Sequence, residues 1–138
     1  MIETPPRILV VEDVALIRTI YDITFAEVKA AVAPDLVVEF AVDGREAIER
    51  MARTPPIDLL LLDLYLPVLN GFEVLEFVRE NEALRGVKIA VVSSRGSAYR
   101  TLAESLGIDA FLEKPARFEA LKSMVTKLLG PRLSAPAS

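Results

Sequence analysis

The sequence predicts a doubly wound α/β domain, in which a parallel β-sheet lies between two layers of helices. Apolar runs of four to six residues alternate with longer segments whose apolar residues recur at helical spacing. The runs are almost continuously apolar, which is typical of parallel strands that are buried on both faces. Five strands alternating with five helices indicate a three-layer sandwich with right-handed connections, and the pattern alone leaves the strand order open.

The predicted elements follow one another with short connections. Apolar runs predict strands over residues 7–11, 36–41, 57–62, 87–92 and 110–113. Helical spacing predicts helices over residues 14–31, 45–53, 72 to a fading end near 81–86, 97–106 and 117–129. On the first helix the apolar face contains Leu16, Ile17, Ile20, Ile23 and Val28, and the opposite face contains Arg18, Asp22 and Lys29.

The third strand is the most informative stretch of the chain. Four leucines at 59–62 end at Asp63, and Pro67 and Gly71 follow before the next helix. In an open α/β sheet the ligand crevice lies outside the carboxyl ends of the strands. Asp63 is therefore either a reacting group or the cap of a turn, because aspartate is also a common turn residue.

Composition and charge exclude several classes of protein. The 138 residues fit one domain, and a net charge of −4 with no basic run gives no electrostatic basis for binding nucleic acid. The chain has no apolar run of about 18 residues and no signal peptide at its N-terminus. We therefore expect a cytoplasmic protein that does not enter a membrane.

The chain has no cysteine and no histidine. Disulfides, zinc–thiolate sites, a Ser-His-Asp triad and a histidine-ligated metal are therefore excluded. A metal site here would have only oxygen ligands, which suit magnesium, calcium or manganese. Any phosphohistidine in the chemistry would have to come from another molecule.

Polar residues that could carry chemistry follow four of the five predicted strands. Glu12 and Asp13 follow the first strand, Asp63 the third, Ser93 the fourth and Lys114 the fifth. Taken singly, each has a structural explanation as a helix cap, a loop residue or a solvated lysine. Taken together, three crowded carboxylates would repel one another unless a cation such as Mg²⁺ joined them. The lysine and the hydroxyl would then hold the oxygens of a transferring phosphoryl group.

These residues make the chain resemble the receiver domain of bacterial two-component response regulators, over about residues 7–129. The resemblance implies a flavodoxin-like strand order of 2-1-3-4-5. The chain departs from the family in three places. It has Glu12-Asp13 instead of two aspartates, and Ala116 where phenylalanine is frequent. The interval between Asp13 and Gly44 is a few residues longer than in compact members of the family. The motifs that carry the resemblance are Glu12-Asp13, Asp63 with Pro67 and Gly71, Ser93-Ser94, and the stretch 107–115 that ends in Lys114-Pro115.

The resemblance also implies how the acidic residues act. Asp63 would take a phosphoryl group from a partner's phosphohistidine and form an acyl phosphate. Mg²⁺ would be bound directly by Asp13 and Asp63, through water by Glu12, and by the backbone carbonyl of Tyr65.

The remaining residues would bind the phosphoryl group, change conformation in response to it, or slow its hydrolysis. Lys114, the Ser93 hydroxyl and the backbone N–H of Ser94 would bind the phosphoryl oxygens. Ser93 and Phe111 would form a conformational switch. The bulky residues that would flank an attacking water, and so slow self-hydrolysis, are Tyr65 and Arg95.

The expected organisation is a receiver domain at 7–130, with a tail at 1–6 and a disordered tail or the start of a linker at 131–138. A histidine kinase or a histidine phosphotransfer protein would supply the phosphoryl group. With no output domain in the chain, a stand-alone receiver of the chemotaxis-regulator type would dock to a protein target. The target would bind to the surface of the fourth helix, fifth strand and fifth helix. The receiver would catalyse only its own phosphotransfer and slow self-dephosphorylation.

Other functions fit the sequence less well. A phosphatase of the haloacid-dehalogenase type needs a second aspartate two residues after the nucleophile, where this chain has Tyr65. A nucleotide-binding enzyme needs a glycine-rich phosphate loop that the sequence lacks, and a flavodoxin-like FMN carrier would share only the fold. A receiver that acts as an adaptor without phosphorylation is the main alternative, although such proteins usually lose residues that this chain retains.

Overall fold

The computed structural model describes residues 4–53, 56–63, 70–93, 97–114 and 116–133, apart from the side chains of residues 97–99 and 102. The strands are β1 (Arg7–Val11), β2 (Val37–Ala41), β3 (Leu59–Asp63), β4 (Lys88–Ser93) and β5 (Ala110–Glu113). They form one parallel sheet in the order β2-β1-β3-β4-β5, which confirms the predicted fold and strand order.

The described residues include the helices α1 (Ala15–Val32), α2 (Gly44–Arg53), α3 (Gly71–Glu80), α4 (Ser97–Ser105) and α5 (Phe118–Leu129). Short 3₁₀ turns follow α3 and α5, at Glu82–Leu84 and Gly130–Arg132. Every predicted strand and helix is present, and the ends lie within one or two residues of the prediction except in α3, which stops at Glu80, before the fading end predicted near 81–86. In the described part of the chain, no helix has both the length and the apolar character that a membrane span requires.

Side chains alternate along each strand between two hydrophobic cores, one on each face of the sheet. On one face, Leu60 and Leu62 pack with α2 and α3. On the other face, Leu59 and Leu61 pack with α1 and α5. All residues of β3 are buried, because this central strand is covered on both sides. That position explains the unbroken run of leucines.

The apolar face predicted for α1 is only partly buried, and the prediction was wrong for three of its residues. Leu16, Ile20 and Ile23 are exposed, at 69%, 44% and 59%. The side of the helix that carries Tyr21 and Phe25 faces the core instead, because these aromatic side chains bury more apolar area than leucine or isoleucine side chains do. Their ring centroids lie 6.2 Å apart. The buried residues of α1 are Tyr21, Phe25 and Val28.

The two ends of the described chain meet beside the start of β3. Asp58 accepts a hydrogen bond from the backbone N–H of Arg7 at 2.8 Å and another from Arg132 Nε at 3.0 Å. Arg132 Nη2 also donates to the backbone carbonyl of Thr4 at 2.8 Å. Arg132, which makes two of these contacts, lies two residues past 130, the predicted end of the domain. Residues 134–138 lie outside the described residues.

Candidate functional site

Three carboxylates meet at the carboxyl edge of the sheet. Strands β1 and β3 are neighbours with Val11 opposite Leu62, so the residues that follow, Glu12 and Asp63, lie side by side. Both are buried, with 1% and 4% of their surface exposed, whereas Asp13 is exposed. One carboxylate oxygen from each of the three acids lies within 4.8 Å of the others. The structure thus brings together the three acids that the sequence places after these strands.

Lys114 crosses from the edge of the sheet to these acids. Its backbone N–H donates to the carbonyl of Ser93 at 3.0 Å, which continues the pairing of β4 with β5. Its Nζ donates to Asp63 Oδ2 at 2.5 Å and lies 3.0 Å from Glu12 Oε2. Ser93 is fully buried at the end of β4, between β3 and β5. All the strand-end residues predicted from sequence therefore lie along the same edge.

Burial and charge act in opposite directions within this cluster. Burial raises the pKa of Glu12 and outweighs the opposing effect of Lys114. Burial alone would lower the pKa of Lys114, but its hydrogen bonds to Asp63 and Glu12 raise that pKa above its usual value. Burial, and then the charges of Glu12 and Asp63, also raise the pKa of Tyr21 on α1. Lys114 therefore carries its positive charge throughout the neutral pH range.

The cluster is short of positive charge. Among the described residues, one ammonium group faces the three carboxylates, which leaves two negative charges uncompensated within that part of the chain when all three acids are ionised. A hard divalent cation prefers oxygen ligands, and Mg²⁺ retains several waters where the protein supplies few of them. The carboxylates of Glu12, Asp13 and Asp63 therefore fit such an ion.

The backbone of Glu12 is held on both sides. Its N–H donates to the carbonyl of Ala41 at 3.0 Å, which extends the pairing of β1 with β2. Its carbonyl accepts a hydrogen bond from Arg18 Nη1 at 2.8 Å, and its Oε1 accepts one from the Val14 N–H at 3.3 Å. The predicted polar face of α1 includes Arg18 but not this contact. The one sequence signal for it is an arginine in the first turn of α1, six residues after Glu12.

The structure describes only some of the residues predicted to form the conformational switch or to slow self-hydrolysis. Phe111 on β5 is half-buried, and it packs against the core that contains α2 and α3. The guanidinium carbon of Arg100, on α4, lies 5.7 Å from the centroid of the Phe111 ring. Predicted site and motif residues that lie outside the described residues are Tyr65, Pro67, Ser94, Arg95 and Pro115.

Curated relatives of this chain are much longer than it is. The sensor histidine kinase TmoS from Ectopseudomonas mendocina is 30% identical over 133 residues, which are 96% of this chain and 13% of the kinase. A protein-glutamate methylesterase/protein-glutamine glutaminase from Thermotoga maritima is 33% identical over 111 residues, 79% of this chain and 30% of that protein. The chain thus spans less than a third of either relative.

Comparisons of structure and of sequence family agree with each other. The crystal structure of a signal receiver domain from Vibrio parahaemolyticus has a TM-score of 0.81 and 27% identity, and the match covers 94% of this chain and 93% of that chain. A family model described as the response regulator receiver domain matches residues 8–126. The chain belongs to the family of response regulator receiver domains of two-component signalling, as the resemblance at its strand ends predicts.

Proposed function

We propose that this chain accepts a phosphoryl group on Asp63 from a phosphohistidine donor, in a reaction that depends on Mg²⁺. The observation that carries the proposal is the cluster of Glu12, Asp13, Asp63 and Lys114 at one edge of the sheet. A carboxylate nucleophile, oxygen ligands for a cation and a fixed ammonium group are what phosphoryl transfer to an aspartate needs. Receiver domains act with histidine kinases or phosphotransfer proteins, and this supports the same class of donor here.

In the proposed reaction, a carboxylate oxygen of Asp63 attacks phosphorus while the N–P bond breaks and its electron pair returns to the donor's histidine. Bound Mg²⁺ would neutralise charge on the phosphoryl oxygens. Lys114 already donates to Asp63, so its Nζ would stay beside the new acyl phosphate and pair with its oxygens. The Ser93 hydroxyl, on the neighbouring strand, would donate to another oxygen. The backbone groups of Ser94 and Tyr65 keep the roles that the resemblance implies.

The proposed output begins at Ser93 and Phe111. Movement of the Ser93 hydroxyl towards the phosphoryl group would vacate space that the Phe111 ring could fill, which is a two-state change in a close-packed setting. Since Arg100 lies over the Phe111 ring, the movement would also alter α4. The surface of α4, β5 and α5 would then bind a protein target. Tyr65 and Arg95 would slow the loss of the signal by shielding the acyl phosphate from water.

The exposed apolar residues of α1 provide a surface for the donor. Leu16 and Ile20 lie in the first half of this helix, which begins two residues after Asp13. Ile20 lines an apolar cavity of about 230 Å³, and Lys114 forms part of its wall. Because a phosphohistidine must reach Asp63, an apolar surface next to Lys114 lies where helices of the donor would pack. The other described residues that line the cavity are Ile17, Tyr21 and Ala116.

Incubation with acetyl phosphate and Mg²⁺ should add one phosphoryl group to the chain, and EDTA should prevent the addition. Asp63→Asn should lose essentially all of the label, because an amide cannot form the acyl phosphate. Intact-mass spectrometry measures the label. Asp22→Asn changes an exposed acid on α1 and should label like the wild type. Equal labelling of Asp63→Asn and the wild type would show that another residue accepts the group.

Glu12→Gln should stabilise the metal-free protein at pH 7. The pKa of Glu12 in the folded state lies above its ordinary value of 4.5. Between the two values the folded state binds more protons than the unfolded state, so the wild type loses stability as the pH rises through this range. The variant lacks this loss, and Lys114 keeps Asp63 as its partner. Urea denaturation in EDTA at several pH values measures the difference, which should shrink as the pH falls towards 4.5 and stay small below that value.

Two controls accompany the Glu12 variant. Glu27→Gln changes an exposed acid on α1 and should follow the wild type at every pH. Glu12→Gln should also bind Mg²⁺ more weakly, which would separate its stability from its proposed role. A stability difference that does not change with pH, or that grows as the pH falls, would contradict the effect of burial on Glu12.

Ile20→Ser should slow phosphotransfer from a protein donor about tenfold, as expected when an apolar interface contact worth about 1.4 kcal/mol is lost. Labelling by acetyl phosphate should stay at the wild-type rate, because a small donor does not use α1. The measurement uses a phosphorylated histidine phosphotransfer protein that labels the wild-type chain. Val42→Ser changes an exposed apolar residue outside α1 and serves as the control. Equal slowing with both donors would place the defect at Asp63 rather than at a docking surface.

Phe111→Ala should accept beryllofluoride, an analogue of the phosphoryl group, but should not pass the change to α4 and α5. The NMR shifts of the surface from 97 to 122 should therefore move less than in the wild type when the analogue binds. Phe77→Ala truncates another partly buried phenylalanine that packs against the same core, on α3, and controls for general loosening of that core. Wild-type shift changes in Phe111→Ala would show that this ring is not the switch.

A further inference from the structure

Arg18 contacts the loop that carries the acidic pair, and it does so through the backbone. Its Nη1 donates to the carbonyl oxygen of Glu12 at 2.8 Å. Arg18 itself is held at the start of α1, where its backbone N–H donates to the carbonyl of Val14 at 3.0 Å. Its side chain is only partly buried and lines a surface cavity together with Asp22 and with Phe40 of β2. The guanidinium group therefore joins the first turn of the helix to the end of β1.

The Glu12 carbonyl belongs to the peptide group that links Glu12 to Asp13. Because a peptide group is planar, fixing its oxygen also fixes the direction in which the chain enters Asp13. The Glu12 N–H is fixed on the other side by its hydrogen bond to Ala41 at 3.0 Å. Arg18 thus supplies the second of two anchors for this turn of the backbone.

Asp13 depends on its backbone more than the other two acids do. The Glu12 carboxylate is held by the Val14 N–H and by Lys114, and the Asp63 carboxylate is held by Lys114. Asp13 is exposed, and its side chain makes no hydrogen bond or ion pair within the part of the chain that the structure describes. The place of its carboxylate among the three acids is therefore set mainly by the peptide that Arg18 holds.

We propose that Arg18 is a positioning residue for the divalent cation. By holding the peptide between Glu12 and Asp13, it keeps the Asp13 carboxylate where all three acids can act on one ion. Groups that orient metal ligands in this way raise metal affinity although they do not touch the metal. The inference rests on the proposed function, since it takes Glu12, Asp13 and Asp63 as the cation site.

Electrostatics alone predicts the opposite effect of removing Arg18. A positive charge beside an acidic cluster repels a cation, so its loss should tighten cation binding. A positioning role predicts weaker binding, because the Asp13 carboxylate would be free to turn away. The sign of the change therefore separates the two explanations.

The experiment compares Mg²⁺ binding by isothermal titration calorimetry in the wild type and in Arg18→Met. Methionine keeps an unbranched, helix-compatible side chain but lacks the charge and the donors. We expect its dissociation constant to rise about tenfold, as is typical when a group that orients a ligand is removed. Lys29→Met removes the same charge from the far end of α1 and should change the constant less than twofold, a change of about 0.4 kcal/mol or less. Urea denaturation in EDTA checks that each variant is folded.

Arg18→Lys provides a second comparison, because it keeps the charge but has a shorter side chain with a single donor group. It too should bind Mg²⁺ more weakly than the wild type, whereas a purely electrostatic role predicts no change. Unchanged or tighter binding in Arg18→Met would overturn the positioning role and leave the proposed function intact. Absence of Mg²⁺ binding in the wild type, with Asp13→Asn identical to it, would overturn both.

Discussion

The hydrogen bond between Lys114 and Asp63 joins parts of the sheet that do not touch through their backbones. Strand β4 lies between β3 and β5, so only a long side chain from the end of β5 can reach the acids across it. Ser93 at the end of β4 is small and buried, and this leaves room for the crossing. Lys114 is thus the counter-charge that the structure shows beside the buried carboxylates of Glu12 and Asp63, and burial of two like charges without one is costly in a protein interior. The ammonium group of Lys114 therefore lies at the centre of the site, between the carboxylates of Asp63 and Glu12.

The residues at this edge of the sheet contribute less to the stability of the folded protein than the strands that lead to it. Burial raises the pKa of Glu12, so the ionised side chain works against folding in the neutral range. The leucines of β3 offset that cost through burial on both faces of the sheet, because the same strand that delivers Asp63 lies at the centre of both cores. A stable central strand that ends in a destabilised cluster is the pattern expected where function, rather than stability, determines the residues.

The sequence predicts the fold and the strand-end residues for one physical reason. Apolar runs locate the strands, and the carboxyl ends of parallel strands meet at one edge, so Asp63 and Lys114 can be brought together without knowledge of any side-chain contact. Helical spacing does not settle which side of α1 is buried, because both its leucine–isoleucine stripe and its aromatic stripe recur at helical spacing. The aromatic stripe is the one that faces the core, and Leu16 and Ile20 are exposed. The bond from Arg18 to Glu12 could not be predicted either, since it depends on how the chain turns between β1 and α1.

Helix α1 consequently has three different neighbours. Tyr21 and Phe25 pack into the core, Arg18 holds the acidic loop, and Ile20 lies on the exposed apolar surface beside Lys114. These residues lie within two turns of one rigid helix, so a small shift of the helix moves all of them together. A donor that packs on the exposed surface of α1 would therefore press on the same element that orients Asp13. The described contacts run without a break from Ile20 through α1 to the Glu12 carbonyl, and contiguous contacts of this kind are the route by which two sites can be coupled. The proposed docking surface and the proposed cation site would in this sense lie on two sides of a single helix.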